Sequence, residues 1–397
     1  MKKFWLIPAV AGVIAALPAA EYYVDFNRGN NAAAGTAEAP LRTFSEAVKK
    51  VKPGDTIRLL PSEQPVHATL ILNNVKGTAD QPITVDGGFL TLTGATRILS
   101  RDVTEISPGL YRMEIRDPGE SMVWRFFLVF DGRQEHMDQH AKRPCGKLKQ
   151  PEELKPFEWA LLNRKELYFR LPEGKTPDTV RVEIPRIYNG VGVAGESEHV
   201  VIRNLIVKHF WNDDFNIHNA SKNITFENIA AIGCCDDSVS AHENCTIKVK
   251  NLVAIGNGTG VCHAGSAEAD HENLYIAASD SRDFFVLNRR NSFRNVAVEA
   301  SAPATSEIGD KGEAVLENLW FYSAKPGARF RTQYAGAVTA KNVELFQYEY
   351  LGNTPGIQVV TDPAGIREAI AKQKAELFAI FGDRLNWVAD FYPPQGE

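Results

Sequence analysis

The stretch Val200-Val201-Ile202-Arg203-Asn204-Leu205-Ile206-Val207-Lys208-His209 decides the fold, because its pattern returns. Asn223-Ile224-Thr225-Phe226 leads up to Asn228-Ile229 in the same way. An Asn followed by a branched aliphatic residue recurs at Asn204-Leu205, Asn228-Ile229, Asn251-Leu252, Asn273-Leu274, Asn295-Val296, Asn318-Leu319 and Asn342-Val343, in steps of 24, 23, 22, 22, 23 and 24 residues. A fixed period of this length marks a solenoid. Each repeat reads as a short strand, a tight bend at Asn and a second strand. Asn tolerates the left-handed backbone of such a bend, and its amide can bond to the same residue in the next coil. Stacked coils make parallel sheets with buried faces, which accounts for the Val, Ile and Leu. A leucine-rich repeat has a similar period, but its Leu-x-x-Leu-x-Leu frame is absent. Helical repeats run longer and are poorer in Val, Thr and Asn. The reading is an all-β chain, a right-handed parallel β-helix.

Outward from the repeat, Thr43 to Lys52 reads as a short amphipathic helix, with Thr43 and Glu46 in capping-box spacing. A helix there would cover the open end of the solenoid. Residues 110–185 lose the period and read as a β-rich insertion, from Trp124-Arg125-Phe126-Phe127-Leu128-Val129-Phe130 to Leu167-Tyr168-Phe169-Arg170-Leu171. It is expected to wall the cleft that holds the acidic residues. Residues 362–397 read as a C-terminal helix and tail. Asp362 is the N-cap before Pro363, and Ile366, Ile370, Leu377, Phe378 and Phe381 share one face. Coils therefore occupy 21–109 and 186–361.

At the N-terminus, Lys2 and Lys3 precede an apolar run from Phe4 to Leu17 and the small residues Ala19 and Ala20. This is the layout of a secretory signal peptide over residues 1–20, too short for a spanning helix. The expectation is a secreted or periplasmic protein with no membrane attachment after cleavage. Hydrophobic residues make up 44% and charged residues 23% of the 397, with a net charge of -5. That balance is of an ordinary globular chain and argues against a nucleic-acid partner, which would need a Lys/Arg excess. The five cysteines, Cys145, Cys234, Cys235, Cys245 and Cys262, lack zinc spacing and read as small buried residues, with one disulfide open to an exported chain.

The acidic residues fall in register. Asp213 and Asp214 lie nine and ten places after Asn204, and Asp236 and Asp237 eight and nine after Asn228. Strands one coil apart lie about 4.8 Å apart, so four carboxylates are expected in one patch. Crowded like charges raise one another's pKa, which keeps a carboxyl protonated for acid catalysis. His218 and His242 both sit fourteen places after their Asn and should stack. Glu243, His263, Asp283, Arg289 and Arg290 extend the candidate substrate-binding set, with Glu268 and Asp270 nearby. Against this stand plain turn chemistry and a structural calcium site.

The segments Tyr23-Val24-Asp25, Pro40-Leu41-Arg42-Thr43, Pro53-Gly54-Asp55-Thr56-Ile57 and Gly77-Thr78-Ala79-Asp80-Gln81-Pro82-Ile83-Thr84-Val85 resemble the opening of pectin-lyase-like β-helix carbohydrate enzymes. Phe130-Asp131-Gly132-Arg133 and Leu167 to Gly174 are similar to the insertion of β-helix glycoside hydrolases. Asn212-Asp213-Asp214 with Asp236-Asp237 resembles the polygalacturonase family's Asn-Thr-Asp and Asp-Asp signatures. The resemblance implies an inverting hydrolase with Asp214 as acid and Asp236 and Asp237 as water-activating bases. That family's Gly-His-Gly and Arg-Ile-Lys are missing; Gly258-Thr259-Gly260, His263 and Asn288-Arg289-Arg290 stand in their region.

The expectation is a glycoside hydrolase on a polysaccharide or oligosaccharide, with Asp214, Asp236, Asp237 and His242 catalytic. It requires no cofactor, and Ca²⁺ is the candidate if a metal binds. The rival is a polysaccharide lyase or uronate epimerase using His242, Arg289 and Arg290, since Ser240-Ala241-His242-Glu243 is similar to the Asp-Pro-His-Asp motif of mannuronan epimerases. A non-catalytic glycan-binding β-helix is the third reading.

Overall fold

A computed structural model describes residues 19–117, 126–136, 149–300 and 304–391. The proposed signal segment, Trp124, Arg125 and Cys145 fall wholly or mainly outside the described residues.

The repeat region is a parallel β-helix. Glu198–Lys208 pairs with Lys222–Ile232, which pairs with Thr246–Ile255, and the series continues through Thr259–Ala277, Arg282–Ala300, Glu313–Ser323 and Val338–Phe346. A second ladder of shorter strands runs beside it: Leu70–Asn73, Val191–Ala194, Phe215–Ile217 and Asp237–Ala241, joining the first halves of Thr259–Ala277 and Arg282–Ala300. Alternate residues of every strand fill one continuous core, with Phe215, Phe226, Phe284, Phe293 and Phe321 among its largest side chains.

The asparagines stack at one corner as the period requires. Each has a left-handed backbone, with φ from 54° at Asn228 and Asn295 to 59° at Asn251, Asn273 and Asn318. Each amide donates to the carbonyl of the preceding one: Asn228 to Asn204 at 2.9 Å, Asn251 to Asn228 at 2.8 Å, Asn273 to Asn251 at 3.0 Å, and so on to Asn342 on Asn318 at 3.0 Å. The ladder ends on a charge. Asn204 donates to Asp86 Oδ1 at 3.0 Å, and Arg203 and Arg58 reach the other oxygen. Burial opposes that charge, but the Asn204 amide, the Gly88 N–H and Arg203 outweigh it and hold the Asp86 carboxyl below its usual value.

The terminal elements differ in detail from the sequence reading. The N-terminal helix is short, Phe44–Val48, and the capping box is not formed. Thr43 instead donates its hydroxyl to Asn31, and Glu46 pairs with Lys49. The helix Ala364–Phe381 lies along the side of the solenoid. Eighteen residues at 1.5 Å rise give about 27 Å. That length carries it from Tyr322, bonded by Arg367, past Asn295, whose carbonyl receives Gln373, to Phe89, which meets Phe381 edge to face. Ile366, Ile370, Leu377 and Phe381 bury against Ile206, Ile232, Val253, Ile255 and Tyr275 of successive coils. Asp362 accepts the Ala364 N–H at 3.0 Å, so its side chain caps the helix from just outside.

The antiparallel excursion begins at Ala95, earlier than Leu110. Ala95–Ile98 pairs with Val182–Pro185, so the excursion leaves and returns through neighbouring strands. It contains two four-stranded sheets around Tyr111, Phe126, Phe130, Trp159 and Phe169. Cys235 and Trp211 join this second core. Phe126 meets Trp211 at 5.2 Å, and Gln134 donates to the Gly256 carbonyl at 3.3 Å. The excursion thus rests on the turns that lead into the short strands.

The ladder gives a direct test. Asn251→Ala removes one bond given and one received, and places Ala at a φ of 59°. It should destabilise the fold by about 2–4 kcal/mol in denaturant unfolding, and Asn251→Gly by less, because Gly alone relieves the backbone cost.

Candidate functional site

Each coil closes through a turn between the strand after the Asn bend and the next short strand. Residues 209–214 form this turn ahead of Phe215–Ile217, and residues 233–236 form it ahead of Asp237–Ala241. Backbone bonds lock the turns together: Asp236 N donates to Asn212 O and Asp214 N to Asp237 O, both at 3.1 Å.

Asp213 and Asp237 meet here. The Asp237 N–H donates to Asp213 Oδ1 at 3.1 Å, and the Ser240 hydroxyl to Oδ2 at 2.6 Å. The Asn216 amide donates to the same Oδ2, and also to Ser240 Oγ at 3.3 Å. Asp213 is therefore fixed in place, 2% exposed, with its oxygens committed to three donors. One ligand-type atom from each of Asp213, Asp237 and His242 lies within 4.8 Å of the others. Asp236 stands half-buried at the lip of the same turn. Two carboxylates and an imidazole are also a donor set for a divalent ion. The nitrogen suits a transition metal better than Ca²⁺, which takes oxygens.

His218 and His242 stack at 4.6 Å and 15°, as their shared spacing requires. Burial, then the neighbouring His218, lowers the His242 pKa, so its imidazole is neutral near pH 7. Glu243 serves the corner. Its φ of 53° matches Gly195, Asn219 and Gly265, at 68°, 65° and 71°. Its carboxylate accepts the Asn219 N–H and lies 3.3 Å from His218 Nδ1. The Asn219 N–H, working against burial, keeps the Glu243 carboxyl below its usual value.

Five expected positions fall elsewhere. Asp214 is 0% exposed, and neither carboxyl oxygen closes a hydrogen bond. Burial, then Asp213, pushes its pKa well above 3.8, so it is a neutral acid sealed against the Cys234 side of the turn. The two vicinal aspartates lie in a turn ahead of Phe215–Ile217, where strand alternation does not set which side each takes, and only Asp213 joins Asn216 and Ser240. His263 is also sealed in. Its Nδ1 accepts the Ala241 N–H at 3.1 Å, its Nε2 meets His271 Nε2 at 2.9 Å, and His271 Nδ1 faces the Ser292 carbonyl at 3.1 Å. These bonds assign both tautomers. His271 carries its proton on Nδ1 and His263 on Nε2, and both rings are neutral. Burial holds His263 well below 6.5 and His271 at about 4. Asp283 is 0% exposed and accepts the Tyr348 hydroxyl at 3.4 Å inside the core. Arg289 and Arg290 lie past the next corner, on the neighbouring sheet face, in ion pairs with Glu268 and Asp270.

Other residues take their place. Asn216 and Ser240 share one offset from Asn204 and Asn228, the signal that could have found them. Arg282 stands in register with Thr259, and Thr259 with Asp237, with its guanidinium 3.8 Å above the Phe285 ring. Tyr188, 62% exposed, projects from the turn whose Asn189 accepts the Asn212 amide at 3.0 Å. The remaining cysteines, Cys234, Cys235, Cys245 and Cys262, are buried, as small core residues should be.

No family model and no curated protein matches the chain. Among solved structures it is similar to a glycoside hydrolase, with a TM-score of 0.52 at 11% identity, over 89% of this chain and 98% of the other. At that identity the likeness shows the fold alone, a parallel β-helix. It also aligns with pectate lyase Pel9A at a TM-score of 0.44 and 13% identity, over 87% of this chain and 80% of that one. XylC in complex with xylose gives 0.42 and 12%, over 87% of each chain.

The sealed acid is testable through pH. The native Asp214 pKa is raised above its ordinary 3.8. Stability from this group is therefore greatest below 3.8 and declines as pH rises toward the native value, because the unfolded chain releases the proton first. Asp214→Leu should unfold at higher denaturant than wild type at pH 7, with the gap closing as the pH approaches 4. An unchanged gap at both pH values would contradict the sealed-acid geometry.

Proposed function

We propose that the chain is an exported polysaccharide-degrading enzyme, a glycoside hydrolase acting where Asp213, Asp237 and His242 converge. The observation that carries this reading is their approach within 4.8 Å on a sheet face flanked by the antiparallel excursion. Hydrolysis needs one carboxyl to protonate the leaving oxygen and another to activate water or attack the sugar. Asp236, half-buried, and Asp237, 6% exposed, are the pair assigned to a bound chain. Asp213 orients Asn216 and Ser240 and backs the His242 ring. Asp214, implied as the acid by the polygalacturonase resemblance, is replaced in this role because a catalytic acid must touch its substrate. Tyr188 offers an aromatic face to a sugar ring.

One observation favours elimination or epimerisation of a uronate as the second reading. His242 is neutral near pH 7 and is backed by two carboxylates, the setting of a general base. Product analysis separates the two. A hydrolase releases new reducing ends and, on anomeric analysis, a defined configuration. A lyase releases unsaturated ends that absorb in the ultraviolet.

Asp237→Asn should lower turnover by about 10²–10⁴-fold, while Asp214→Asn leaves it within about threefold of wild type. Loss of turnover in Asp214→Asn with the fold intact would restore that residue to the reaction. Neutral His242 predicts that kcat/KM falls on the acid side with a midpoint below 6.5. Dialysis against EDTA should leave turnover unchanged, and abolished turnover would place a divalent ion on Asp213, Asp237 and His242.

A further inference from the structure

A cavity of about 540 Å³ lies at the N-terminal end of the solenoid, lined by Phe26, Asn27, Arg42, Ser45, His67 and Ile71, among others. It opens onto the same sheet face as the candidate site. Ile71 is in register with Gly192, and Gly192 with Asn216, which pairs in turn with Ser240. Three strand steps of about 4.8 Å thus connect the cavity to the residues that hold Asp213, a distance of about 14 Å. The path is smooth in between. Gly192 has no side chain, and a Cβ there would come within 2.9 Å of the Ile71 side chain. Ile71 is 48% exposed, an apolar side chain left uncovered on a face with polar neighbours.

The cavity has one uncommitted cation. Arg42 is exposed, and its guanidinium has no ion pair or hydrogen bond among the described residues. Arg58, also near this end, is committed to Glu21 and Asp86. Among the described residues, no Asp or Glu lines the cavity. Its remaining polar groups are neutral: the Asn27 amide bonds to Ser62 at 3.1 Å, Thr43 and Ser45 bond to each other at 3.2 Å, and His67 meets Thr96 at 3.0 Å. Burial lowers the His67 pKa, so this ring adds no positive charge near pH 7. A planar guanidinium in a cavity free of acids matches a carboxylate or sulfate group.

We propose that this cavity is a distal subsite for an acidic sugar unit, with Arg42 as its anchor and Ile71 and Phe26 against the ring. It rests on the reading of the Asp213–Asp237–His242 face as a polysaccharide site. A chain bound across that face continues over Gly192 into the cavity, so only oligomers long enough to span both places gain from Arg42.

The test is calorimetric titration of galacturonate oligomers of graded length, and of neutral xylose oligomers of the same lengths, into Asp237→Asn protein. Binding should tighten with length in the acidic series only. Arg42→Gln, added to the same protein, should weaken the longest acidic oligomer by about tenfold and leave the shortest unchanged. Ser45→Glu, which puts a negative charge in the cavity, should do the same. Binding that ignores both substitutions overturns the subsite and leaves the main site standing. An equal length gain for the neutral series overturns the anionic specificity. No binding of either series at any length overturns the polysaccharide reading and the subsite with it.

Discussion

The stack of asparagine amides from Asn204 to Asn342, closed by Asp86, is the constraint on which the rest of this molecule depends. Each amide can bond only if the next coil starts its bend at the same height, so the ladder fixes the axial register of every strand. That register then sets the neighbours of each outward side chain. Asn216 sits beside Ser240, and His218 stacks on His242. A slip of one residue would turn the core set outward. The site is thus positioned by a corner whose residues take no part in it.

This dependence explains what was legible in the sequence. The 22–24 residue period gave the coils, the parallel pairing and the Asn corner, because stacking requires near-constant spacing. It also gave Asp213 beside Asp237 and His218 beside His242, because equal offsets from a stacked residue are equal positions along a coil. Offsets carry no information about which side of the backbone a group takes. Asp214 and Asp283 went inward for that reason, each within one coil of an outward polar residue. Nor do offsets show where a corner intervenes, so Arg289 and Arg290 appeared to belong to the acidic face while lying beyond it. Arg42 and its cavity lie outside the period altogether. They depend on how the N-terminal loops fold over the first coils, which no repeat position encodes.

The buried ionisable groups follow from the same architecture. A coil interior must be filled, and where the filler is polar the solenoid offers few partners besides backbone. His263 and His271 meet this by bonding to each other, to the Ala241 amide and to the Ser292 carbonyl, spanning coils with one proton path. His209 and Asp214 do not. The ring nitrogens of one and the carboxyl oxygens of the other have no partner among the described residues. Both groups stay neutral because a lone buried charge costs more than a lone buried dipole.

These neutral groups pull stability in opposite directions with pH. Histidines held below 6.5 contribute stability that is present above 6.5 and lost as pH falls toward their native values, about 4 for His271. Asp214 contributes most below 3.8 and progressively less above it. His209, His263 and His271 act on the acid side against the single Asp214, so acid weakens the fold over the same interval in which His242 takes up its proton. The two effects differ in kind. Protonation of His242 on an intact coil is immediate and reversible within a catalytic assay, whereas charging His263 requires the core around it to open. An acid limb that survives with the fold intact therefore belongs to the face where Asp213, Asp237 and His242 meet, and one that tracks unfolding belongs to the interior behind it.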